Sequence, residues 1–151
     1  LTNRYKDLRK NILFTIKSAS VAYSKKFLID NKFDEEFGVG SNYYSGEETD
    51  LLLRAFYNGC KIKYADFIIS STPIIDWDEI SSMKIANYSF GFGALLKKYL
   101  SKLGLRLILI SILHSLFVCI KYLLINKIIA KNSAIHFLNS LKGFKAYKVR
   151  M

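Results

Sequence analysis

The sequence predicts an α/β domain in residues 1–78, followed by an α-helical, membrane-associated region in residues 79–151. Strand-like and helix-like segments alternate in the first part, whereas only helical patterns follow it. The charge changes at the same place. Residues 1–78 carry 11 basic and 11 acidic side chains, whereas residues 79–151 carry 12 basic side chains and one acid, Glu79. This asymmetry indicates an anionic partner for the second part, either nucleic acid or a membrane surface.

The composition excludes several classes of protein. The 151 residues are 51% hydrophobic and include 8 glycines and 1 proline, which excludes collagen-like and Pro/Gly-rich disordered chains. Two cysteines cannot form a disulfide framework, and they lack the companions of a zinc site. Because the first residue is Leu1, we expect the chain to be the tail end of a longer protein.

The first part is predicted to run strand, helix, loop, helix, strand. Ser24 can cap a short helix at Lys25–Asp30, and Phe33–Tyr44 has two glycines without a helical period, which predicts a loop. Ser45–Asn58 has acids in its first turn and Gly59 at its end, which predicts a helix. The predicted strands, rich in apolar and β-branched residues, are Asn11–Tyr23, Lys61–Ala65 and Phe67–Ser71.

The second part is predicted to be helical throughout. Two helices, Asp78–Asn87 and Tyr88–Lys102, are expected first, with Gly91 and Gly93 as a weak point between them. An apolar helix over Leu103–Ala130 follows, and then a basic amphipathic segment at Ser133–Lys142.

The apolar helix distinguishes between the two anionic partners. Leu107–Ile120 is a run of 14 residues without charge, whereas a spanning helix needs about 20. The run reaches that length only if Lys121 is tolerated, so residues 104–130 either span a membrane or lie on it. The alternative is a buried helix of a soluble subdomain. Because the basic residues flank an apolar run, we predict an anionic membrane surface as partner and no nucleic acid.

The densest acidic cluster opens the helix that begins near Ser45. Glu47, Glu48 and Asp50 place three carboxylates in four positions, and Arg54 can pair with Asp50 one turn later. A carboxylate at a helix N-terminus is favoured in its ionised form and can accept a proton from a substrate hydroxyl. The alternative is a capping box, with Ser45 at the N-cap and Glu48 at N3.

Four segments follow one another in a distinctive order. Ser20–Phe27 comes first, Phe33–Gly40 reads F-D-E-E-F-G-V-G, Gly46–Arg54 reads G-E-E-T-D-L-L-L-R, and Tyr88–Tyr99 reads Y-S-F-G-F-G-A-L-L-K-K-Y. In this order they resemble the C-terminal half of a family 2 glycosyltransferase of the membrane-associated bacterial type, in which an FDE-x-F-G-x-G loop leads to a G-E-D/E-x-D-L-x-x-R helix start and a Y-x-x-G-x-G-A stretch follows the core. The resemblance covers about residues 18–100 and implies a portion of the GT-A (nucleotide-diphospho-sugar transferase) fold.

The resemblance implies inverting transfer of a sugar from a nucleotide-sugar donor to a lipid-linked or polysaccharide acceptor, at the cytoplasmic face of the plasma membrane. Glu48 stands where the family has its catalytic base, usually an aspartate. Glu47 and Asp50 match acids that contact the acceptor or brace the helix, and Arg54 and Gly46 match supporting positions. The family's donor site and its divalent metal, Mg²⁺ or Mn²⁺, belong to an N-terminal half outside this chain, so this fragment alone is expected to be inactive.

Three aromatic residues near the predicted site can stack on a sugar ring: Tyr43, Tyr44 and Trp77. The alternative is that they are core or loop aromatics. Trp77 also lies within Asp76-Trp77-Asp78, which follows the acid pair instead of preceding it. We therefore do not assign this Asp-x-Asp as a metal motif and expect Asp78 to cap a helix.

Overall fold

A computed structural model of the chain describes residues 12–14, 21–63 and 80–148. Residues 12–14 are helical, and the further helices are α1 (Lys25–Asp30), α2 (Glu47–Tyr57), α3 (Ser82–Lys98), α4 (Leu100–Leu103), α5 (Leu105–Tyr122) and α6 (Lys127–Ala146). The described residues fall into two compact units. The first contains residues 12–14, 21–34 and 47–63, and the second contains residues 35–46 and 80–148.

The predicted α/β fold, a portion of the GT-A fold, is wrong, because the described residues form helices and no strand. Residues 12–14, inside the predicted strand Asn11–Tyr23, are helical, and Ile12 is buried there. Residues 61–63, which begin the second predicted strand, have no regular structure. A short apolar run has no period that separates a strand from a buried helix, and this ambiguity is the source of the error. The third predicted strand, Phe67–Ser71, lies outside the described residues.

In the first unit the predicted helices are confirmed. The Ser24 hydroxyl accepts a hydrogen bond from the Phe27 amide at 3.2 Å, so α1 begins where its cap predicts. Helix α2 buries Leu51 and Leu53 completely. It ends before Gly59, whose φ of +72° is the left-handed conformation that stops a helix.

In the second unit α6 packs along both α3 and α5. The predicted weak point in α3 is wrong, because Gly91 and Gly93 lie buried inside one continuous helix. Each glycine leaves room for a neighbouring backbone: a Cβ on Gly91 would lie 2.6 Å from the Tyr43 carbonyl oxygen, and one on Gly93 would lie 2.7 Å from the Ser140 carbonyl carbon. Close packing at these positions outweighs the low helix propensity of glycine.

Two boundaries in the second unit also differ from prediction. Helix α3 begins at Ser82, where the Ser81 hydroxyl caps it by accepting from the Lys84 amide at 3.2 Å. The predicted cap, Asp78, lies outside the described residues. Helix α6 is longer than the predicted segment Ser133–Lys142, because the Asn126 side chain accepts from the Ile128 and Ile129 amides of an earlier turn.

Candidate functional site

The acidic cluster forms the first turn of α2, in the first unit. Its three acids differ in environment: Glu47 and Glu48 are half-buried, whereas Asp50 is completely buried. The helix begins at Glu47, and the residue before it, Gly46, has a φ of +104°. A Cβ on Gly46 would also lie 2.7 Å from Leu95 Cδ1, so this position requires glycine for two reasons.

Asp50 is engaged in holding the helix. Arg54 Nε donates to Asp50 Oδ2 at 2.9 Å, and the same guanidinium donates through Nη2 to the Lys32 carbonyl oxygen at 2.6 Å. The predicted pair of Asp50 and Arg54 is therefore confirmed. A buried carboxylate in this arrangement fixes the α2 backbone against the segment after α1, and it is not open to an acceptor.

Glu48 is placed differently. Within the described residues, its carboxylate has no hydrogen-bond or ion-pair partner, while the Tyr23 hydroxyl donates to its backbone carbonyl at 3.4 Å. Burial raises the pKa of Tyr23, the charge of Glu48 raises it further, and Arg54 opposes the shift. The Tyr23 hydroxyl thus contacts the backbone of this turn, whereas Arg54 acts on Tyr23 only through its charge.

The capping box does not form as the spacing predicts. Ser45 lies two residues before the first helical residue, and its hydroxyl donates to the Tyr88 carbonyl oxygen at 3.2 Å. The hydroxyl therefore ties the loop to α3 inside the second unit, where Ser45 is buried.

The three aromatic residues predicted to stack on a sugar differ in their environment. Tyr43 is buried, 8% exposed, and its ring packs against Phe37 and Tyr147 at centroid distances of 5.2 and 5.3 Å. It therefore belongs to the core of the second unit and has no open face for a sugar. Tyr44 is 44% exposed, and Trp77 lies outside the described residues.

Tyr44 borders a cleft of about 250 Å³ in the second unit. Its backbone has a φ of +60°, and the Ser45 amide donates to the Tyr43 carbonyl across it at 2.7 Å. A non-glycine residue in this conformation is strained and is held there by its surroundings. The other polar and aromatic residues that line the cleft are Ser81, Lys84, Asn87 and Tyr88. Sequence reasoning missed this group, whose only signal is the spacing of Lys84, Asn87 and Tyr88 along one helix face.

Helix α5 is long and apolar enough to cross a membrane, and 17% of its 18 residues are buried. Its polarity is inverted relative to a helix in a water-soluble protein. Ser111 and Ser115 point inward with Ile108 and Ile112, and Ser115 Oγ lies 2.7 Å from His136 Nδ1 of α6. The large apolar side chains point outward, and those more than 45% exposed are Leu105, Leu109, Ile110, Leu113, Phe117 and Ile120. Small polar residues between helices and apolar residues outside are typical of helices in contact with lipid.

The described residues offer no group of three His, Cys, Asp or Glu side chains that could hold a metal ion. The divalent metal that the resemblance implies therefore finds no ligand set in this part of the chain. No protein-family model, curated protein or solved structure matches the chain. The proposed function therefore depends on the residues described above.

Proposed function

We propose that this chain is a membrane-bound part of an inverting glycosyltransferase, which transfers a sugar from a nucleotide-sugar donor to the hydroxyl of a lipid-linked or polysaccharide acceptor. The main support is the difference between two acids in the first turn of α2: Asp50 is buried and paired with Arg54, whereas the half-buried carboxylate of Glu48 has no hydrogen-bond or ion-pair partner among the described residues. The order of motifs around it, resembling family 2 glycosyltransferases, supplies the reaction class.

In the proposed reaction Glu48 acts as the general base. Its carboxylate accepts the proton of the acceptor hydroxyl while that oxygen forms a bond to the anomeric carbon of the donor sugar. The bond from the anomeric carbon to the diphosphate breaks on the opposite face, and the nucleoside diphosphate leaves with the electron pair. The ion pair of Asp50 with Arg54 keeps the helix turn in place, since a base must stay within hydrogen-bond reach of the proton that it removes.

The test is transfer activity in membranes that contain the product of the whole reading frame. With a panel of nucleotide sugars, Glu48→Gln is expected to lower kcat by 10²–10⁴-fold, the usual contribution of one general base. Glu47→Gln is the matched control, because it removes the neighbouring charge and is expected to change the rate by less than about tenfold. Equal rates for the wild type and Glu48→Gln would refute the role of Glu48.

A second readout is independent of activity. Because the charge of Glu48 contributes to the raised pKa of Tyr23, Glu48→Gln is expected to lower that pKa, and NMR of labelled tyrosine would measure the change. An unchanged Tyr23 pKa would show that the carboxylate points elsewhere.

We also propose that α5 binds the cytoplasmic face of the plasma membrane. The inverted polarity of the helix supports this, as does the charge of residues 80–151, which contain 12 basic residues and no acid. The whole chain is expected to float with anionic vesicles at high salt, because the apolar contact is not screened.

A second candidate is a non-catalytic, membrane-bound interaction module. The observation in its favour concerns two surfaces of the second unit: the cleft beside Tyr44 and a groove along α5 that is lined by residues such as Leu109, Leu113 and Phe117. Neither surface is lined by an acid. On this alternative, Glu48→Gln leaves every transfer activity unchanged, while vesicle binding is retained.

A further inference from the structure

We infer that α5 lies in the plane of an anionic leaflet, as one side of a helical hairpin, and does not cross the bilayer. The inference rests on the proposed membrane association and adds the orientation of α5 relative to the bilayer. Three observations carry it: the length of the uncharged run, the helix that packs along α5, and the extent of the exposed apolar surface.

The uncharged part of α5 is shorter than the hydrocarbon core, so a spanning α5 would bring two charged side chains into the hydrocarbon. Arg106 and Lys121 stand one residue from its two ends, and both are exposed. The 14 residues between them extend about 21 Å as an α-helix, whereas the hydrocarbon core of a bilayer is about 30 Å thick. At the interface the same two cations lie level with lipid headgroups.

Helix α6 is the stronger obstacle to spanning. A short turn at residues 123–126 connects it to α5, and the two helices pack along each other, with Ser115 against His136. A spanning α5 would therefore take α6 through the hydrocarbon as well. One exposed face of α6 carries four lysines and one leucine, which form a lysine stripe: Lys127, Lys131, Leu138, Lys142 and Lys145.

In a spanning hairpin the inner lysines of α6 would lie about 6 Å from the helix ends and would have to snorkel to the headgroups. Lys131 and Lys142 both lie at least four residues inside α6, whose own partner, α3, carries further lysines. An in-plane hairpin removes this conflict, because the lysine stripe then stays outside the hydrocarbon while the apolar face of α5 enters it.

The exposed apolar surface also continues beyond α5. Leu123, Leu124 and Ile125 in the turn are 55, 95 and 75% exposed, and Ile128 and Ile129 follow at the start of α6. In a spanning orientation this turn would lie at the far interface, with its exposed apolar side chains among headgroups. In the plane it extends the contact with acyl chains, with basic residues at hand for anionic headgroups: Lys102, Arg106, Lys121 and Lys127.

Depth-dependent quenching of tryptophan fluorescence tests the orientation. The natural tryptophan, Trp77, is first replaced by Phe in the whole chain, and single tryptophans are then placed at Leu105, Leu113 and Leu124, which are exposed at the start, middle and end of the apolar surface. Leu138→Trp, on the lysine stripe, is the control. The vesicles contain equal parts of phosphatidylcholine and phosphatidylglycerol, brominated at either shallow or deep acyl positions.

We expect the three tryptophans on the apolar surface to be quenched to a similar extent, and more strongly by shallow than by deep bromines, with no quenching at position 138. Deepest quenching at Leu113→Trp, with shallow ends, would show a spanning helix and overturn the in-plane orientation while keeping membrane binding. Absence of quenching in a chain that does not float with the vesicles would overturn both the in-plane orientation and membrane binding. The same result is expected if a second copy of the chain covers the apolar face. Circular dichroism of each variant confirms the helical fold.

Discussion

The crossing of α3 and α6 gives the sharpest test of the second unit. Gly93 of α3 and Gly143 of α6 stand on opposite sides of it, each facing the backbone of the other helix. A Cβ on Gly93 would lie 2.7 Å from the Ser140 carbonyl carbon and 2.9 Å from the Phe144 amide nitrogen. A Cβ on Gly143 would lie 2.7 Å from the Phe90 carbonyl carbon.

The expected cost follows from these distances. Carbon atoms pack best at about 3.5–4.0 Å, so the contact with the carbonyl carbon alone requires the helices to separate by about 0.8 Å, and the carbonyl oxygen, which lies nearest to the added Cβ, requires a larger separation. A gap of that size loses a quarter to a half of the dispersion energy across the contact, and overpacking of this kind costs about 1–3 kcal/mol or more. Helix propensity acts in the opposite direction, because Gly→Ala inside a helix is worth about 1 kcal/mol of stability. We expect Gly93→Ala and Gly143→Ala each to destabilise by about 2 kcal/mol.

The assay is denaturant unfolding of the chain in mild detergent, followed by circular dichroism. Asn132→Ala, at a half-buried position of α6, is the control and is expected to stabilise by a few tenths of a kcal/mol. The double variant should cost less than the sum of the single variants, because helices already separated by one methyl group admit the second. Stabilisation by either glycine substitution would refute the close crossing.

Four further predictions concern single side chains. Arg54→Ala is expected to destabilise by about 3 kcal/mol in the same unfolding assay, since it removes the cationic partner of the buried Asp50 carboxylate, and Asp50→Asn should recover part of the loss. Tyr44→Gly should be more stable than Tyr44→Ala by about 1 kcal/mol, because both remove the ring but only glycine relieves the φ of +60°; equal stabilities would argue against the strain. Burial, with a smaller contribution from His114, lowers the pKa of His136 below its ordinary 6.5, so the unfolded chain binds the proton more readily. Stability should therefore fall as pH decreases below about 6.5 and level off below the folded-state pKa, and His136→Gln should flatten this slope in unfolding measured against pH. Asn126→Ala is expected to cost about 1 kcal/mol through loss of the α6 cap, whereas Asn126→Asp should retain most of it.

Local signals in the sequence predicted local structure well. Ser24 and Gly59 marked helix ends correctly, because a hydroxyl cap and a left-handed glycine act within a few residues of where they stand. The pairing of Asp50 with Arg54 followed from their spacing by one helical turn.

Features that depend on distant parts of the chain were not predictable in this way. From the sequence, Gly93 predicts a weak point in a helix. Its actual role, to admit the Ser140 backbone of another helix, depends on a residue distant in the chain. From the sequence, Tyr43 can be a sugar-stacking, a core or a loop aromatic. Its burial depends on contacts with Phe37 and Tyr147, which are distant in the chain. The error over residues 12–14 has the same origin, since an apolar triplet does not reveal whether it lies in a strand or a helix.

The inward-facing serines of α5 have a consequence for sequence variation. At Ser111 and Ser115 the neighbouring helix limits volume, so exchange for alanine or glycine should be tolerated and exchange for leucine should not. At Leu113 and Phe117, which the proposed membrane contact places against acyl chains, any large apolar side chain should serve, whereas a carboxylate should not. A saturation library of this helix would therefore accept only small side chains on the inward side and only uncharged side chains on the outward side. A helix of a water-soluble protein shows the reverse pattern, with large apolar residues inside and charged residues outside.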